Sequence, residues 1–88
     1  MEQKYIKGQK VRIRRIGDEC LKVKYSHLQD YISKRGTITE SHWYGIDESC
    51  HLEGQYSHIK GHYIYDVRLD RGRKILFAVP EDALEPVN

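Results

Sequence analysis

The sequence has no run of the ~18 apolar residues that a membrane-spanning helix needs, and no charged start followed by an apolar stretch of signal-peptide length. The expectation is a cytoplasmic protein with no membrane partner. Cysteine is scarce: Cys20 and Cys50 are too few for a disulfide framework, and in a reducing cytosol they are expected to stay unbridged. There is no glycine-rich phosphate loop and no nucleophile elbow. Cys50 is followed by His51, but neighbours on an extended chain point to opposite sides, which makes a poor nucleophile–base pair. No catalytic residue and no cofactor is expected, so the chain does not read as an enzyme.

Charge is plentiful. Charged residues make up 32% of the 88 and apolar residues 39%, with a mean hydropathy of −0.74, which leaves one thin core and no deep substrate cavity. The net charge of +2 conceals an asymmetry: residues 1–36 hold ten Lys/Arg against four Asp/Glu, and residues 37–88 hold five against nine. A basic half is either a polyanion surface or a solvated face that folding places beside the acidic half.

Strands are legible from alternation. Residues 1–7 read as a loose lead-in that adds Tyr5 and Ile6 to the core edge. Val11 and Ile13 then alternate with Arg12 and Arg14, the period-2 pattern of a half-buried strand. Residues 17–26 read as a loop with a short extended piece at Leu21–Tyr25. Leu28, Tyr31 and Ile32 are spaced for a short helical turn near 27–33, with Ser26 as N-cap. Thr37, Ile38 and Thr39 open a second strand that continues through Trp43 and Tyr44. The stretch near 45–61 has neither period and reads as a long loop.

Residues 63–86 read as a hairpin and a closing strand. Tyr65, Val67, Leu69, Ile75, Phe77 and Val79 are core by phase, and Asp70–Gly72 makes the turn with Gly72 at positive φ. Pro80 ends the strand, "EDA" makes a 3₁₀ turn, and "LEPV" returns as a short final strand. Five mostly antiparallel strands in one small domain, 1–88, leave edges that closure into a barrel removes. The expected fold class is all-β, a five-stranded SH3-like barrel.

The order of short motifs resembles the SH3-like barrel domain of the nitrile hydratase beta subunit. Gly8, Val11 and Ile13 match its opening strand; Leu28, Tyr31, Lys34, Gly36 and Ile38 match part of its second segment; Tyr65, Val67, Leu69 and "EDALEP" at 81–86 match its close. In that family an arginine before the leucine helps bind the partner subunit's sulfur ligands, and here His27 stands in its place, with Gln29 in place of the following proline. The metal-binding motif belongs to the other subunit, so the resemblance implies the barrel and docking against another protein, and no nitrile hydration by this chain alone. Barrels of this shape also serve as subunits of photosynthetic and ferredoxin-linked complexes and as KOW modules of ribosomal and transcription proteins.

Three surfaces are candidates. Trp43, Tyr44, Tyr56 and His58, in and beside the long loop, suit a protein partner, since rigid rings give contact area at little entropic cost. Lys10, Arg12, Arg14, Arg15, Lys34 and Arg35, with Lys22 and Lys24 and the rings of Tyr25 and Tyr31, suit a nucleic-acid backbone. Cys50, His51, His58 and His62 carry zinc-type donors, although the close pairs usual in structural sites are missing. The leading expectation is a non-catalytic protein-interaction module or accessory subunit.

Overall fold

Alternating apolar and charged residues form strands wherever one face can be buried, and this decides most of the architecture. The structure, a computed structural model, describes residues 3–52 and 55–87, without the side chains of 51, 52 and 55–57. In chain order the elements are β1 (Lys10–Ile13), α1 (Glu19–Lys24), a 3₁₀ segment (Ser26–Tyr31), β2 (Arg35–Tyr44), β3 (Glu48–Leu52), β4 (Gln55–Ile59), β5 (His62–Leu69), β6 (Ile75–Pro80), a 3₁₀ turn (Glu81–Ala83) and β7 (Leu84–Pro86). Five strands form one antiparallel sheet in the order β6-β5-β2-β1-β7, and β3 and β4 form a separate two-stranded sheet. The fold is all-β, and its helices are short.

Two segments differ from the sequence expectation. The chain at 19–24 is a helix rather than a loop with an extended piece: the Asp18 carboxylate accepts from the Leu21 N–H as N-cap, with Glu19 in the first turn and Lys22 and Lys24 in the last. Only six residues long, it is stabilised by what it leans on. The stretch near 45–61 is the β3–β4 hairpin rather than a loop, in register from Glu48↔Ile59 to Leu52↔Gln55. The helical turn near 27–33 is present as the 3₁₀ segment, although Tyr25 rather than Ser26 occupies its N-cap position.

The core lies against β1, β2 and β5. Val11, Ile13, Ile38, Tyr65 and Val67 are buried, and Tyr25 and Leu28 from the helical segment pack on them. Tyr5 also belongs to the core: its ring meets Tyr65 edge to face, with centroids 5.6 Å apart. The lead-in is therefore tied down at Tyr5, while Ile6 stays exposed.

The β5–β6 hairpin turns as expected, with Gly72 at φ 78°. Beyond it the phase breaks. Leu76 opposes Val67 and Val79 opposes Tyr65, so β6 carries one more residue than β5 between these pairs. Ala78 takes up the excess at φ 56°, its N–H donating to Asp66 Oδ1 at 3.3 Å. Leu76 and Val79 consequently point into the core, while Ile75 and Phe77, expected there by alternation, are 38% and 66% exposed.

The buried tyrosines hold each other through polar contacts. Tyr65 donates to Glu81 Oε2 at 2.6 Å and accepts from the Tyr5 N–H at 3.2 Å, and Tyr5 donates to the Leu84 carbonyl at 3.0 Å. Burial, reinforced by the Glu81 hydrogen bond, pushes the Tyr65 phenol up to about 12. A raised phenol stabilises the fold below its ordinary value of 10.0, and that contribution is lost as pH rises from there towards about 12. Tyr65→Phe leaves the Glu81 carboxylate and the Tyr5 N–H short of a partner, and should cost ~1–3 kcal/mol in urea denaturation at neutral pH. The deficit relative to wild type should shrink as the denaturation series is carried into the alkaline range.

Candidate interaction surface

The far end of the β2–β5 ladder carries the aromatic surface. The register places Trp43 opposite Tyr63 and Tyr44 opposite His62. The Trp43 and Tyr63 rings pack edge to face at 5.0 Å, and the indole remains 51% exposed. Two glycines make room for it. A Cβ on Gly45 would lie 2.9 Å from Trp43 Nε1, and one on Gly61 would lie 2.9 Å from Trp43 Cζ2. The Gly61 N–H donates to Asp47 Oδ1 at 2.7 Å, which pins together the two ends of the β3–β4 hairpin. An exposed indole is thus held in one orientation by backbone on either side and a ring beneath.

The hairpin is clasped to α1 by a covalent bond and a charged network. Cys20 and Cys50 form a disulfide with a Cα–Cα distance of 6.0 Å, in contrast to the expectation of free thiols drawn from an assumed reducing compartment. Lys24 Nζ donates to both oxygens of Glu48 at 2.9 and 3.1 Å and to the Tyr44 hydroxyl at 3.3 Å, and it lies 4.9 Å from the centre of the Tyr44 ring. Tyr44 also donates to Glu48 Oε1. These contacts hold the Glu48 carboxyl below its usual range, through the Tyr44 hydrogen bond first and Lys24 next, and the Glu48 hydrogen bond raises the Lys24 ammonium. Glu48 therefore contributes above the ordinary carboxylate range and loses that contribution as pH falls through its lowered value; Lys24 contributes below the ordinary ammonium range and loses it as pH rises through its raised value.

His62 sits beside this network. In the neutral ring Nδ1–H donates to the Lys60 carbonyl at 2.7 Å, leaving Nε2 to accept from the Tyr25 hydroxyl at 2.9 Å. Both nitrogens are occupied, and Cys50 has given up its thiol, so two of the zinc-type donors are committed elsewhere. Among the described residues no group of three or more His, Cys, Asp or Glu is placed to hold a metal ion. The His51 and Tyr56 side chains lie outside the described residues; His58 is exposed on β4. Of the residues expected to meet a partner, Trp43 is therefore presented outward and Tyr44 is engaged by Glu48 and Lys24.

The basic first strand is largely neutralised. Lys10 pairs with Asp70 at 2.8 Å, Arg12 with Glu85 at 2.6 Å and Arg14 with Asp82 at 3.0 Å. Each acid comes from the acidic half of the sequence, so folding lays one half's charge against the other's. Arg15, Lys34 and Arg35 are exposed and have no acidic partner among the described residues. Arg15 and Lys22 border a cleft of about 360 Å³ whose wall includes Ile16, Tyr25, Leu28 and Ile32.

Comparison with known proteins adds no relative: no family model, no curated protein and no solved structure matches the chain. Nor, among the described residues, is any helix long and apolar enough to cross a membrane.

Two measurements check the site. The disulfide closes a separation of 30 residues. In the loop-entropy description such a bridge contributes ~3–4 kcal/mol, so Cys20→Ser/Cys50→Ser should lower the urea-derived unfolding free energy by about that amount, and the native oxidised protein should show no titratable thiol. Gly61→Ala should displace the indole from its seat. Trp43 is the single tryptophan, so its emission maximum and quenching by iodide read the displacement directly.

Proposed function

We propose that this chain is a small SH3-like barrel acting as a non-catalytic protein-interaction module, with the aromatic surface around Trp43 as its contact. The strand order β6-β5-β2-β1-β7 supports the barrel reading, because every neighbour in it is antiparallel and the first strand lies between the second and the last. The order of motifs shared with the nitrile hydratase beta subunit barrel points the same way. It brings with it the habit of docking against another protein rather than a reaction.

The observation that carries the proposal is the half-exposed indole in a seat of two glycines and Tyr63. Large aromatic side chains that remain accessible are frequent binding hot spots. One held in place in the free protein loses little entropy on binding, so more of its contact energy appears as affinity. Ile46, 64% exposed three residues further on, adds apolar area beside it in the chain.

The test is affinity capture from extracts of the native cell with oxidised wild-type protein and Trp43→Ala, followed by titration of the recovered partner. The substitution should weaken that complex by ~2 kcal/mol or more, a factor of about 30, and complex formation should shift the Trp43 emission to the blue. Equal recovery and equal affinity for the two proteins would remove Trp43 as the contact and the proposal with it.

A further inference from the structure

Six of the cations that form no ion pair among the described residues gather at the opposite end of the β2–β5 ladder. Lys34 and Arg35 stand at the start of β2, Arg68 near the end of β5, and Arg71, Arg73 and Lys74 in the turn to β6; all six are exposed. None has an acidic partner among the described residues, whereas Lys10 and Arg12 on β1 and Arg14 just after it each do. Asp70 in the same turn is committed to Lys10 at 2.8 Å, which leaves Asp30 as the carboxylate facing the cluster.

The backbone holds this end together. The Asp70 N–H donates to the Arg35 carbonyl at 2.9 Å, and the register sets Thr37 against Arg68. Lys34, Arg35 and Arg71 border one cleft of about 560 Å³, and Lys10, Arg68 and Arg73 border another of about 460 Å³. Aromatic rings adjoin the charge. Phe77 is 66% exposed because of the β6 bulge, and Tyr31 carries the Lys74 ammonium 5.2 Å from its ring centre; the two line a third cleft with Ile75.

We infer that this end of the molecule binds single-stranded nucleic acid, with phosphates along the cations and a base on Phe77. A polyanion without bases uses the cations and leaves Phe77 in water. A duplex hides its base faces in the stack, so it cannot use the ring either. The surface is separate from the Trp43 seat; of the basic residues singled out from the sequence it keeps Lys34 and Arg35, while Arg12 and Arg14 are paired with acids elsewhere.

Fluorescence anisotropy of a labelled single strand of about 16 nucleotides, as DNA and as RNA, tests the inference over roughly 20 to 200 mM salt. Contact with four to six phosphates predicts a slope of log K against log salt of about −3 to −4, and Arg71→Gln/Arg73→Gln should reduce it by about 1.4 while weakening binding at least about tenfold. Phe77→Ala should weaken binding roughly tenfold with the slope unchanged. Trp43→Ala should bind the strand as wild type does, which keeps this result independent of the partner experiment. Circular dichroism of each variant guards against loss of fold, which exposed positions are expected to survive. No binding at the lowest salt, equal binding by Arg71→Gln/Arg73→Gln, or equal competition by a duplex or by polyglutamate overturns the inference.

Discussion

The pairing of β2 with β5 is the interaction on which the rest of the molecule depends. It runs from Gly36↔Leu69 to Tyr44↔His62, longer than any other ladder in the sheet, and crosses three environments on the way. In its middle Ile38, Tyr65 and Val67 build the core. At one end Trp43 meets Tyr63, and at the other the start of β2 meets the turn that follows β5. Because side chains alternate along paired strands, a slip of one residue would expose Tyr65 and Val67 and dismantle both ends together. Burial of the middle therefore secures the geometry of the surfaces at both ends.

Charge is the second constraint, acting between halves of the chain that lie far apart in sequence. Exposed ion pairs add only ~0–1 kcal/mol each, so those on β1 matter less for stability than for the field they leave behind. Pairing Lys10, Arg12 and Arg14 with Asp70, Glu85 and Asp82 cancels the stripe that looks most basic in the sequence. Much of the uncancelled positive charge lies instead where the start of β2 meets the β5–β6 turn. Linear charge counts thus predict the amount of basic surface better than its position.

Legibility followed burial. β1 and β5 alternate cleanly because one face is inside and the other in water, and Val11, Ile13, Tyr65, Val67 and Leu69 were correctly readable as core. The β3–β4 hairpin has no such contrast: Ser49 and His58 face each other exposed, and Ile59 is its one buried side chain among those described. Its order comes from α1 and from Cys20, thirty residues away, which no local pattern reports. The helix did leave a signal in Asp18, Glu19, Lys22 and Lys24, a cap and two complementary ends, but six residues are too few for periodicity to reveal. Ile75 and Phe77 misled because alanine is an unusual residue for a left-handed bulge. The seat of Trp43 needs Gly45 and Gly61 to converge, which only the finished hairpin brings about.

The disulfide divides the molecule into two tiers of unequal independence. The five-stranded sheet is held by its own core, while the hairpin is held from outside by Cys20 and Lys24. Gly45 and Gly61 are the points where the chain enters and leaves that hairpin, so the walls around the indole belong to the dependent tier and the indole itself to the independent one. Local opening draws on the least supported unit first, and with the covalent tie removed that unit is the hairpin. The firmness with which Trp43 is displayed thus rests on a bond formed outside the sheet that bears it, between residues thirty positions apart in the chain.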